Sequence, residues 1–118
     1  MRRMTTLSTI LAAVLGIAFL GAAIPKLTGQ QKMVDSFERW GYQPAVLTAT
    51  AAVELLAAVL LLVGIAIDAL AITGALLIVV VMTGALWTHA RAKDAVAEWV
   101  PAAVLLVLAF VLLVSMLP

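Results

Sequence analysis

The chain has no cysteine and a single histidine in 118 residues. Without thiols it has no disulfide, no thiolate nucleophile, no dithiol relay and no cysteine ligation of an iron–sulfur cluster. One histidine, His89, is too few for bis-histidine haem, and it has too few partners for a structural zinc site. Neither a metal nor any other intrinsic cofactor is expected. Charge is scarce too: Asp, Glu, Lys and Arg make up 11% of the chain and nearly cancel, for a net +1. No basic run remains to hold nucleic acid or to steer a charged partner. There is no Ser/His/Asp set, no glycine-rich phosphate loop and no second carboxylate within an apolar run, so hydrolase, kinase and carboxylate-dyad chemistry lack their residues. No self-sufficient catalytic constellation is left, which limits any enzymatic part to that of an oxidoreductase-associated subunit.

What is present is apolar. Hydrophobic residues are 66% of the chain and the mean hydropathy is +1.25, leaving too little polar surface to cover a soluble globule. The chain needs a lipid bilayer around it. Lipid gives backbone N–H and C=O groups no partners, so only helices or a closed barrel can cross, and long Ala/Leu/Val runs without polar alternation exclude the barrel. The reading is all-α: a polytopic four-helix membrane bundle, one domain over 1–118, with spans at about 7–25, 45–67, 69–88 and 99–117. Arg2 and Arg3 before the first run, and Gly21, Ala22 and Ala23 at its end, imitate a signal peptide. Its length and the three runs that follow mark it as a retained span.

Between Lys26 and Pro44 lies the one sizeable connection. Met33, Phe37 and Trp40 recur there at spacings of four and three, with Lys32, Asp35, Glu38 and Arg39 on other faces. This predicts a short amphipathic helix in the headgroup plane, with Trp40 and Tyr42 at the interface and Gly41 ending it. The turn at Asp68 is so short that spans two and three must be antiparallel neighbours. His89, Arg91, Lys93, Asp94 and Glu98 form the next polar connection, and Pro101 falls near the first turn of the last span. Gly16, Gly21, Gly64, Gly74 and Gly84 offer small faces for close helix approach. Basic residues divide two, Arg2 and Arg3, against five, Lys26, Lys32, Arg39, Arg91 and Lys93. That places the connections in the cytoplasm, although the arginine pair pulls the other way.

Glu54 is the most informative residue, because it lies about 14 Å inside the second span by helical rise. A charge at that depth costs at least about 2.5–3.5 kcal/mol, so the group must be neutral, paired or facing a wet cavity. Its bland role is packing glue between helices. Lys26 closes the first span at the same end, where its stem can reach in towards Glu54 or out to the headgroups. His89 and the hydroxyls of Thr83 and Thr88 fall in the same half of the membrane, each with an ordinary role as an interfacial ring or a hydroxyl bonded to its own helix. Glu54, Lys26, His89 and Thr83 are the candidate pocket residues.

The run Gly16, Phe19, Gly21, Lys26, Leu27 and Gly29, followed by Phe37, Gly41 and Pro44, resembles the opening pattern of the DoxX and DoxX-like small membrane proteins. Glu54, Gly64, Met82, Gly84, Ala85 and His89 match its later positions, so the resemblance covers nearly the whole chain; Ala51, where a glycine is usual, and Pro25 depart from it. The resemblance implies four spans in a bacterial-type plasma membrane. It also implies kinship with a membrane subunit of a thiosulfate:quinone oxidoreductase, with partners in oxidant-defence complexes and with four-helix chaperones of acetylcholine receptors. Three roles follow. The first is an accessory subunit that binds a quinone or other lipid-like molecule through Glu54, Lys26 and His89. The second is an assembly scaffold for another membrane protein or a second copy. The third, a proton-coupled transporter or channel titrating at Glu54, has no broken helix or inverted repeat to support it.

Overall fold

The computed structural model describes residues 4–117, and every regular element among them is helical. The helices are α1 (Thr6–Leu27), α2 (Gln31–Arg39), α3 (Pro44–Gly64), α4 (Asp68–Ala92) and α5 (Val96–Ser115). Arg2 and Arg3, which enter the topology count, lie outside the described residues. α1, α3, α4 and α5 are 20 to 25 residues long with a mean hydropathy of 2.4 in their most apolar windows, so each is long and apolar enough to cross a bilayer. They are apolar on all sides, as expected for helices with lipid on one face and other helices on the rest. α2 is the amphipathic exception expected from the Met33, Phe37 and Trp40 spacing.

Local chemistry sets the helix ends. The Thr5 hydroxyl caps α1 by accepting from the Ser8 backbone N–H at 3.1 Å. Gly29 and Gly41 take left-handed φ values of 68° and 85°, closing α1 and α2 with backbone bonds from Gln30 to Pro25 and from Tyr42 to Phe37. Pro44 starts α3 at a position where its missing N–H costs nothing. The boundaries depart from the expected ones most at α4, which continues past the apolar run to Ala92, so His89 and Arg91 belong to its last turn. α3 ends earlier than expected, at Gly64, and Glu98 lies in the first turn of α5. Polar residues end the predicted third span, but α4 continues past them until the left-handed conformation of Lys93 stops it.

The long helices run up and down in the ring α1–α3–α4–α5, with α5 returning against α1. Ser8 on α1 bonds Ser115 on α5 at 2.8 Å, which brings both chain ends to one end of the bundle. That half is packed solid around Leu15, Phe19, Leu61, Ile78 and Leu112, all fully buried. α2 covers the opposite end, packing on α3 and α1. Its apolar face therefore turns onto the bundle, with Phe37 buried, where the sequence suggested a face turned to the headgroups.

Three of the small-residue positions serve close packing and two do not. A Cβ on Gly64 would lie 2.3 Å from the Ala71 backbone nitrogen across the α3–α4 turn, and on Gly16 or Gly74 it would press against Leu62 or the Ala57–Leu61 turn. Gly21 and Gly84 have nothing within 4 Å of such an atom. Gly64→Ala should therefore destabilise the bundle by about 1–3 kcal/mol, since backbone must move, while Gly21→Ala should change it by less than about 0.5 kcal/mol. Thermal unfolding in detergent, followed by helical circular dichroism, checks both.

Candidate functional site

The end of the bundle under α2 holds a half-open cleft, with Val80 and Trp87 largely exposed at its outer lip. A cavity of about 910 Å³ is lined by all five helices, at the large end of the range for small-molecule sites. Its walls are largely apolar, with Val53 from α3, Val80, Val81 and Met82 from α4 and Leu105 from α5. Phe37, Trp40, Tyr42 and Trp87 give it an aromatic end.

Glu54, the eleventh residue of α3, borders this cavity with its side chain 4% exposed. Lys26 Nζ lies 3.1 Å from Glu54 Oε1, and Lys26 also donates to the Ala22 carbonyl at 3.2 Å. The second contact explains the first. Side chains on a helix lean towards its N-terminus, so Lys26 folds back one turn along α1 and brings its ammonium inward instead of out to the headgroups. The pair is close but not aligned as a hydrogen bond. Oε1 is the buried side-chain polar atom that, among the described residues, accepts none.

His89 lines the same cavity, and with it the structure brings Lys26, Glu54 and His89 to one chamber. Met33, Phe37 and Trp40 of α2 line it as well. Thr83 does not: it is exposed on the outer side of α4 and its hydroxyl donates to the Val79 carbonyl at 2.6 Å. The hydroxyl that does reach the chamber is that of buried Thr88, 2.6 Å from the Tyr42 hydroxyl. Among the described residues no three His, Asp or Glu side chains converge to hold a metal ion.

The hub that holds this end together is Asp94, which in sequence terms is one of several charges in a polar connection. Lys93 adopts a left-handed φ of 56° after α4, and the Asp94 N–H bonds back to the His89 carbonyl at 3.0 Å. This reversal aims the Asp94 carboxylate at three donors: Arg39 at 2.5 Å, His89 Nδ1 at 2.6 Å and Trp40 Nε1 at 3.1 Å. Two of the donors come from α2 and its C-terminal cap, so Asp94 pins α2 across the cavity. Arg91 adds a bond to the Trp40 carbonyl at 2.9 Å and stacks over Tyr42 and Trp87. A glycine after α4 would have signalled the reversal from sequence; a lysine hides it.

The pattern of the DoxX-like family matches residues 10–112, which takes in α2 to α4 whole and most of α1 and α5. The chain belongs to the DoxX-like family. Comparison with curated proteins and with solved structures gave no match. The matched range holds every charged side chain of the chamber in this DoxX-like protein, and Asp94 with them.

The hydrogen bond from Arg39, then that from His89, pull the Asp94 carboxyl from its ordinary 3.8 down to about 2. A depressed carboxyl contributes stability that is complete above its unfolded value and disappears as pH falls through its folded one. Asp94→Asn should therefore lower the melting temperature at pH 6, and the gap from wild type should close as pH falls from about 4 towards 2. Melting curves of both proteins across that range in one detergent check the sign.

Proposed function

We propose that this DoxX-like protein is a ligand-binding accessory subunit of the plasma membrane of a bacterial-type cell, holding a quinone or other lipid-like molecule in the chamber under α2. The observation that carries the reading is the Lys26–Glu54 pair, buried at membrane depth and bordering a large, mostly apolar cavity. A buried ion pair is a poor device for stability alone, because desolvation offsets most of its attraction. An intramembrane carboxylate beside a cavity is by contrast a common sign of a ligand or proton site. The aromatic end suits flat rings or chain segments; Lys26 would donate to a quinone carbonyl, and Glu54 would accept the hydrogen bond or proton of the hydroxyl in the reduced, quinol form. No side chain here carries electrons, so redox work would belong to the bound molecule or to a partner subunit.

Scaffolding is the second reading, and α5 is the feature that favours it. Its most apolar window is 11% buried, against 39% for α1, so a partner protein or a second copy could pack there. Lipid covers such a face equally well, and the cavity therefore carries the proposal.

Purification in mild detergent from the native membrane, followed by mass spectrometry of what accompanies the protein, tests it. Wild type should retain a small apolar molecule. Gly84→Leu, which fills the cavity from an unobstructed position, should lose it, and Glu54→Gln should retain at least about tenfold less. Protein partners kept in all three with no small molecule in any would replace the ligand reading with scaffolding.

A further inference from the structure

The charged residues of the lining balance, Lys26 and Lys32 against Glu54 and Glu98, and at the buried end the Lys26–Glu54 pair carries no net charge while both partners keep hydrogen-bonding capacity unused. An ammonium has three N–H groups. Lys26 gives one to the Ala22 carbonyl and turns another towards Glu54, and the third has no partner among the described residues. The Glu54 carboxylate has about four acceptor sites. Lys26 is its ion-pair partner, and Oε1 accepts no aligned hydrogen bond although the side chain is only 4% exposed. Oε1 is closed off against Lys26, so the carboxylate meets the cavity through Oε2, which has no hydrogen-bond partner among the described residues and stands beside the Lys26 donor at the head of an apolar cavity.

On the reading that this cavity is a ligand site, we infer that it selects an uncharged amphiphile headed by a hydroxyl, which donates to Glu54 and accepts from Lys26. Other head groups fit worse, for stated reasons. A carbonyl or ether accepts only, so it serves Lys26 and leaves the carboxylate unsatisfied, and of a quinone couple the site therefore favours the hydroxyl-bearing quinol. A carboxylate or phosphate head turns a neutral site into a net negative one at membrane depth, and an amine head makes it net positive; either leaves a buried charge without its counterpart. The hydroxyl completes both groups and adds no charge. The apolar part of such a molecule lies along Val53, Val80, Met82 and Leu105, towards the aromatic end.

Trp40 and Trp87 line the cavity and respond to its occupancy, over a background from Trp99 and the exposed face of Trp87. A matched series of 12-bromododecan-1-ol, its methyl ether and 12-bromododecanoate, titrated into nanodisc-embedded protein, quenches tryptophan through the shared bromine. Gly84→Leu protein supplies the signal from partitioning into the bilayer alone, which is subtracted. Wild type should show saturable quenching with the alcohol at least tenfold tighter than with the ether or the carboxylate. Glu54→Gln leaves Lys26 as an uncompensated cation, so in that variant the carboxylate probe should overtake the alcohol. An ether or carboxylate that matches the alcohol in wild type overturns the head-group assignment and leaves the cavity reading standing. Saturable quenching by none of the three removes both.

Discussion

The contact between Lys26 and Glu54 sets terms that the rest of the molecule has to meet. A carboxylate halfway along a membrane helix has no water to solvate it, and a lysine that abandons the headgroups to reach it adds a second desolvation cost. The pair is tenable only if α1 and α3 run close and in register. Gly16 permits that approach, since even a methyl group there would meet Leu62 of α3 at 2.8 Å, and fully buried Ala51 and Ala58 keep the facing side of α3 narrow. Lys26 also has to sit one turn beyond the level of its target so that its stem can lean back along α1, which its bond to Ala22 confirms.

The bundle divides its labour along its length. Towards the end carrying the chain termini, Leu15, Phe19, Leu61, Ile78 and Leu112 are fully buried, the Ser8–Ser115 hydrogen bond joins α1 to α5, and this packing keeps four apolar helices together without a hydrophobic driving force between them. At the other end the helices leave a chamber, and polar contacts replace packing as the restraint. Asp94 takes bonds from α2, its cap and α4 at once, while Tyr42 with Thr88 ties the start of α3 to α4. A cleft-bearing half held by directional bonds on a solid half held by packing is an arrangement suited to admitting a guest while the fold stays fixed.

Much of this was legible in the chain. Four apolar runs gave the spans, the spacing of Met33, Phe37 and Trp40 gave α2, and antiparallel counting brought Lys26, Glu54 and His89 to one half of the membrane. Contacts that depend on the exact rotation of one helix against another were not legible. Asp94 as a hub rests on a left-handed lysine, and the Tyr42–Thr88 bond spans 46 residues; neither has a local pattern. Thr83 and Thr88 are similar in sequence terms, yet they are five residues apart, which on a helix turns them to different faces. One meets lipid and the other the chamber. Hydropathy puts His89 in a connection although it lies in the last turn of α4, because hydropathy marks where a helix leaves lipid, not where its backbone stops hydrogen bonding.

The most direct test of the account is a double-mutant cycle on Lys26→Met and Glu54→Gln, with unfolding free energies measured in one lipid or detergent system. A true buried pair predicts that each single change is costly, because it strands the other partner. The double change should recover much of the loss, with a coupling of about 2 kcal/mol or more. Effects that simply add, within about 0.5 kcal/mol, would mean that the two side chains do not share a site. The chamber built around them would then have lost its polar anchor.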